Sequence, residues 1–170
     1  YESMGKTFLA EELTRIYEDV VLISESHTLR GIEFIRSVMK KIYFHETSFR
    51  NMSESVKIEL GDFANTKNQI SVEELKKLFH RLSVEINLIL VFDGFNLYDE
   101  VSQELLRELI PFLQVNKRKV ILTEESDLSY TSDFLNNVQE INLSPFTDTN
   151  LNEYLTKNFY YLYPVEELRK

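Results

Sequence analysis

The chain contains no cysteine among its 170 residues, which excludes disulfide frameworks and thiolate zinc sites. It also lacks any apolar run approaching the ~20 residues that a membrane-spanning helix requires. Basic character is scarce: 19 Lys and Arg stand against 28 Asp and Glu, for a formal charge of −9. Nonspecific nucleic-acid binding needs a concentrated positive field. The only dense basic cluster is Lys117-Arg118-Lys119, in a stretch that reads as a solvated turn, so direct nucleic-acid contact by this segment is not expected. No basic start, apolar middle and small-residue cleavage site opens the chain, and a reducing cytoplasmic location is expected. His27, His45 and His80 lie far apart without paired ligand spacing, which disfavours a histidine metal site. No G-x-S-x-G elbow accompanies Ser24 or Ser26, and a hydrolase triad is disfavoured with it. Glycine is rare, four residues in all, so the positions of those few carry weight.

What remains is an ordinary globular composition, 43% hydrophobic and 28% charged, in a chain long enough for one domain with a substantial core. Leu9, Leu13, Ile16 and Tyr17 recur at helical spacing. "DVVLISES" (19–26) reads as a strand, and Ile35, Val38, Met39 and Ile42 mark a helix over 29–44. Residues 45–69 are polar and weakly patterned, and are expected to form a loop or short insertion. Ser71 and Glu74 make an S-x-x-E capping box ahead of Leu75, Leu78, Phe79 and Leu82. "INLILVFDG" (86–94) is apolar without alternation, as suits a strand buried on both faces of a parallel sheet. A helix carrying Leu105, Leu106, Leu109 and Leu113 comes next, then the strand "KVILTEE" (119–125), a short strand "QEINL" (139–143) and a helix over 147–159. Alternating strands and helices predict an α/β fold with a mainly parallel sheet.

Three elements of this pattern point to chemistry. Gly5-Lys6-Thr7 stands immediately before an expected helix and matches the end of the phosphate-binding loop G-x-x-x-x-G-K-[ST], whose first glycine would fall one place before Tyr1. Helix N–H groups and the helix dipole would face a phosphate there, with Lys6 reaching the β- and γ-phosphates and the Thr7 hydroxyl binding Mg²⁺. Asp93 ends the most apolar strand, where an acid can hold Mg²⁺ through water; Gly94 comes directly after it and leaves room for a nucleotide or a sharp exit. The competing reading of Asp93-Gly94 is a plain strand-end turn. Thr123 ends the next strand and would lie beside Asp93 if the two strands are neighbours.

Gly5-Lys6-Thr7, "LILVFDGF", "KVILTEES" and "INLSPFTDTNLNEYL", in this order, resemble the nucleotide-binding core of a STAND-type ATPase within the AAA+-like P-loop class, the group of the NACHT and NB-ARC switches and of relatives of the origin-recognition ATPases. The resemblance implies a P-loop NTPase-like three-layer sandwich over residues 1–144, with the start of a helical lid or linker over 145–170. It implies ATP or ADP with Mg²⁺ on the stretch Met4, Gly5, Lys6, Thr7 and Phe8, Thr7 and Asp93 as metal-binding residues, and Thr123 as sensor of the γ-phosphate. The implied activity is slow ATP hydrolysis in a nucleotide-dependent switch. Its partners would be other domains of a longer protein and further copies of itself on ATP binding.

The departures from the family pattern are specific. The strand that should precede the P-loop is missing, so the chain reads as a fragment. Asn96 and Leu97 stand where the pattern has acids, with Asp99 and Glu100 the next acids along. Glu124 and Glu125 come after Thr123, where an arginine is usual. These departures keep a second reading open, a non-catalytic interaction module on a degenerate ATPase fold. A nucleotide kinase fits less well, because the arginines are scattered from Arg15 to Arg169. The tyrosine-rich "NFYYLYPVEEL" reads as the packed start of a lid or as an exposed interface.

Overall fold

The structure is a computed structural model and describes residues 4–24, 29–65, 70–114, 119–124 and 149. The expected strand at 139–143, nearly all of the expected helix at 147–159 and the tyrosine-rich end lie outside the described residues. By compactness the chain divides into a unit of residues 3–139 and a unit of 140–170; the sheet and its helices belong to the first.

Three strands form a parallel sheet: β1 (Val20–Ile23), β2 (Ile89–Phe92) and β3 (Val120–Leu122), in that spatial order. The register pairs Ile23 with Phe92 and Phe92 with Leu122, so the strands end level with one another. Side chains alternate across the sheet. Val21, Ile23, Leu90 and Phe92 enter the main core with Val120 and Leu122 against it, while Val20 and Val91 face a smaller cluster with Leu22, Ile89 and Ile121. Burial on both sides is why these strands lack polar alternation. The α/β class and the parallel sheet are thus as the sequence predicts.

The two faces are covered unequally. Helices α2 (Gly31–Phe44), α4 (Glu54–Asn65), α5 (Val72–Glu85) and α6 (Glu100–Gln114) contribute to the main core. In α5, Leu75, Leu78, Phe79 and Leu82 are fully buried, each stabilising by roughly 1.5–3 kcal/mol. Its start has the predicted capping box: Ser71 Oγ accepts from the Glu74 N–H, and the Glu74 carboxylate accepts from the Ser71 N–H.

The other face has only α1 (Met4–Ile16) among the described helices. Among its described side chains Ala10 is fully covered and Leu13 partly covered, whereas Leu9, Ile16 and Tyr17 are about half exposed. The helical period there is real, but most of the apolar residues that reveal it face outward among the described residues. No described helix is long and apolar enough to cross a membrane.

The stretch 45–65 corrects the expectation of a loop. It forms α3 (Glu46–Asn51) and α4. Met52, Val56, Leu60, Phe63 and Ala64 are buried at helical spacing, but roughly one inward residue per turn amid charged neighbours gives a weak sequence signal. Polar caps start both helices, with His45 Nδ1 accepting from the Ser48 N–H and Ser53 Oγ accepting from the Val56 N–H. Buried Arg36 ties α2 to α4 by donating to the Phe63 carbonyl and lying 4.9 Å over the Phe63 ring.

Candidate functional site

The level strand ends bring together residues remote in sequence. Because Phe92 pairs with Leu122, the next residues, Asp93 and Thr123, emerge side by side. The Thr123 N–H donates to the Phe92 carbonyl at 3.0 Å and the Phe95 N–H to the Thr123 carbonyl at 2.8 Å, so backbone pairing continues past the formal end of β3. Helix α1 spans Met4–Ile16, so Gly5, Lys6 and Thr7 lie within its first turn and not ahead of it as expected; N–H groups of a first turn have no intrahelical acceptor.

The Asp93 carboxylate is held between two hydroxyls. Thr7 Oγ1 donates to one oxygen at 2.8 Å and Thr123 Oγ1 to the other at 2.6 Å. Thr123 Oγ1 also accepts from the Gly94 N–H at 2.8 Å, so its proton and a lone pair are both engaged. Gly94 has φ +67° and ψ 45°, in the left-handed region that glycine enters without steric cost. A Cβ there would also approach Leu97 Cδ1 to 3.1 Å.

Of the residues expected to handle metal and phosphate, Thr7, Asp93 and Thr123 therefore meet. The Thr123 hydroxyl, expected as a γ-phosphate sensor, here contacts Asp93 and Gly94. Lys6 is half-buried, less open than a freely solvated lysine, and among the described residues no carboxylate pairs with it. Gly5 is exposed with nothing within 4 Å of a Cβ position. Phe8 is about half exposed and points no contact at Asp93 among those described.

The donor set is one carboxylate and one threonine hydroxyl beside a helix N-terminus. Hard oxygen donors suit Mg²⁺, which usually takes one or two protein carboxylates and keeps waters or substrate phosphates for the rest. No group of three or more His, Asp or Glu among the described residues could cage a metal by itself. The site fits a cation arriving with a phosphorylated ligand better than a resident one.

The positions that depart from the family pattern lie in and around the start of α6 and after β3. Asn96 and Leu97 lie in a 3₁₀ turn, Phe95–Leu97. Asp99 caps α6: its carboxylate accepts from the Ser102 N–H at 3.2 Å and from the Ser102 hydroxyl, which in turn accepts from the Gly31 N–H at 2.7 Å. Desolvation raises the Asp99 pKa, but the Ser102 and Gly31 donors and the Arg30 guanidinium outweigh it and hold the carboxyl below its ordinary value. Glu100 is exposed in the first turn of α6, and Glu124 is half-buried beside Thr123.

Tyr98 carried no signal in the sequence. Its hydroxyl lies 2.9 Å from the Ile23 carbonyl and 3.0 Å from the Asp93 carbonyl and donates toward both. Both partners are backbone atoms, so no residue pattern marks the contact. The chain matches no family model, no curated protein and no solved structure.

Proposed function

We propose that this chain is the ATP-binding domain of a regulatory ATPase of the STAND/AAA+ kind, a nucleotide-dependent switch on a P-loop sandwich. The single observation that carries the reading is the convergence of Thr7, Asp93 and Thr123 at the first turn of α1. A chance G-K-T tripeptide and a chance strand-end acid have no reason to be joined by a hydrogen bond across 86 residues. The position also suits the reading, since ligands of open α/β sheets bind beyond the carboxyl ends of the strands.

In this scheme the first-turn N–H groups of α1 and the Lys6 ammonium hold the phosphates. Mg²⁺ would be held by Thr7 and Asp93 and, when bound, would neutralise charge on the β- and γ-phosphates. Thr123 fixes the Asp93 carboxylate. Turnover is slow, because Asn96 and Leu97 bring no carboxylate and Asp99 is committed to capping α6. Bound nucleotide acts as the switch through a population shift set by the difference between ATP and ADP affinity.

That commitment of Asp99 also favours a second reading, an interaction module that keeps the fold and not the turnover. Calorimetric titration of the full-length protein with ATP, with and without Mg²⁺, tests the first reading. Saturable binding that tightens with Mg²⁺ is expected. No binding, or binding indifferent to Lys6→Ala, sinks it. Tight binding with no phosphate release leaves the second reading in its place.

A further inference from the structure

Asp93 is in a mechanically awkward place. It stands one residue beyond β2, and the next residue is Gly94 in a left-handed conformation. A glycine at that junction leaves the Asp93–Gly94 peptide plane with little steric restraint, and a turn of that plane would withdraw the Gly94 N–H from Thr123 Oγ1, which it meets at 2.8 Å, and so loosen the hydroxyl that holds the carboxylate. Three hydrogen bonds fix the amide and carboxylate sides of Asp93: its N–H to the Ile23 carbonyl at 2.9 Å, and the two threonine hydroxyls to its carboxylate. Tyr98 holds its carbonyl.

We infer that Tyr98 is a positioning residue for the cation site, its hydroxyl locking the Asp93 peptide so that the carboxylate stays where a metal can use it. The phenol is well placed for this. It is 6% exposed, its ring packs 4.6 Å from Phe34 and 6.1 Å from Phe95, and Gln103 Nε2 donates to its own carbonyl at 2.8 Å. The ring is therefore held by α2, the 3₁₀ turn and α6, and its hydroxyl spans the carbonyls at the ends of β1 and β2. A buried hydroxyl so placed restrains the backbone as a ladder hydrogen bond would, at the point where the ladder stops. Tyr98 touches neither the proposed metal nor nucleotide; it acts through Asp93.

The inference rests on the proposed Mg²⁺-nucleotide reading, and its test separates the two. ATP is titrated into full-length wild type, Tyr98→Phe and Ser102→Ala at a series of Mg²⁺ concentrations and without Mg²⁺, well below each variant's melting temperature. Tyr98→Phe keeps the ring and removes one hydroxyl. Ser102→Ala loosens the nearby α6 cap without contacting Asp93, and so controls for lost stability. Metal-free ATP affinity is expected to stay within about twofold for all three. The Mg²⁺ concentration giving half of the affinity gain should rise about threefold to tenfold in Tyr98→Phe, the worth of one net hydrogen bond, and stay at the wild-type value in Ser102→Ala. An unchanged midpoint in Tyr98→Phe overturns the inference and leaves nucleotide binding standing. An equal shift in Ser102→Ala, or a Tyr98→Phe protein that does not fold, also overturns it, because the hydroxyl would then serve the fold at large. Wild type whose ATP affinity ignores Mg²⁺ overturns the nucleotide-metal reading and this inference together.

Discussion

Two carboxylates near the same end of the molecule, Asp93 and Asp99, are each held by hydrogen bonds, yet they are held in opposite ways. The Asp99 carboxylate takes its capping hydrogen bonds from Ser102, three residues on, with the Gly31 N–H and the Arg30 guanidinium supporting its charge, and the result is a helix cap. The partners of Asp93 lie 86 and 30 residues away, in Thr7 and Thr123. A local clamp is what an N-cap needs to satisfy an orphan N–H at low conformational cost, and nothing further need be asked of it. A clamp assembled from three separate elements draws on the whole fold, and here it aims one carboxylate at the start of a helix. Proximity in sequence thus separates the acid that stabilises from the acid proposed to work.

The largest effect is expected from removing the Lys6 ammonium, whose chain neighbour Thr7 donates to Asp93. Lys6→Ala should abolish ATP binding measurable by calorimetry while far-UV circular dichroism and melting temperature stay as in wild type. Affinity equal to wild type would leave the Asp93 cluster without a phosphate partner. Next in size, Asp93→Asn should reduce the Mg²⁺-dependent gain in ATP affinity by at least about tenfold, in the range seen when support of a metal site is lost. It should change metal-free affinity much less. Asp99→Asn should leave the same titration at wild-type values, and matching effects from the two variants would erase the distinction.

Turnover tests the comparison from the other side. Slow steady-state phosphate release by wild type should change by less than about twofold in Asp99→Asn and in Glu100→Gln, whereas general-base assistance, if either supplied it, would contribute ~10²–10⁴-fold. A drop of that order in Asp99→Asn would mean that the cap opens to provide a base.

The smallest effect belongs to stability. Asp99→Ala should cost about 1 kcal/mol as a lost N-cap, lowering the melting temperature by about 2–4 °C for a domain of this size, with ATP affinity unchanged. Its pH dependence has a definite sign. The folded Asp99 carboxyl titrates below its ordinary value of 3.8, so the ionised form is favoured by folding. Its contribution is complete above that value and is lost as pH falls through the lowered one. Wild type and Asp99→Ala should therefore differ most near neutrality and converge in acid, as thermal melts across pH would reveal.

Much of this architecture is written in short-range patterns. The four buried positions of α5 and its Ser71–Glu74 box lie within one stretch, as do the uninterrupted apolar residues of β2, so hydrophobic period and cap chemistry identify both. Gly5-Lys6-Thr7, Asp93 and Thr123 are legible as candidates because each falls at the end or beginning of an element whose type the pattern fixes. The helices at 46–65 escape that reading because their inward face is thin. Leu9, Ile16 and Tyr17 mislead in the other direction, since periodicity reports a helix without saying whether anything covers it.

For α2, α5, α6 and the three strands, sequence alone determined that an element forms and roughly where it ends, because helix period, capping and burial on both faces act over a few residues at a time. Only the tertiary structure decided which ends meet. The parallel register that levels Phe92 with Leu122 is a contact between strands far apart in the chain, and it is what sets Thr123 against Asp93, while the packing of α1 on the sheet brings Thr7 to the same carboxylate. The same long-range geometry sends Tyr98 onto two backbone carbonyls. Carbonyls are common to every residue, so where a hydroxyl finds them is settled by packing and by nothing in the residue names.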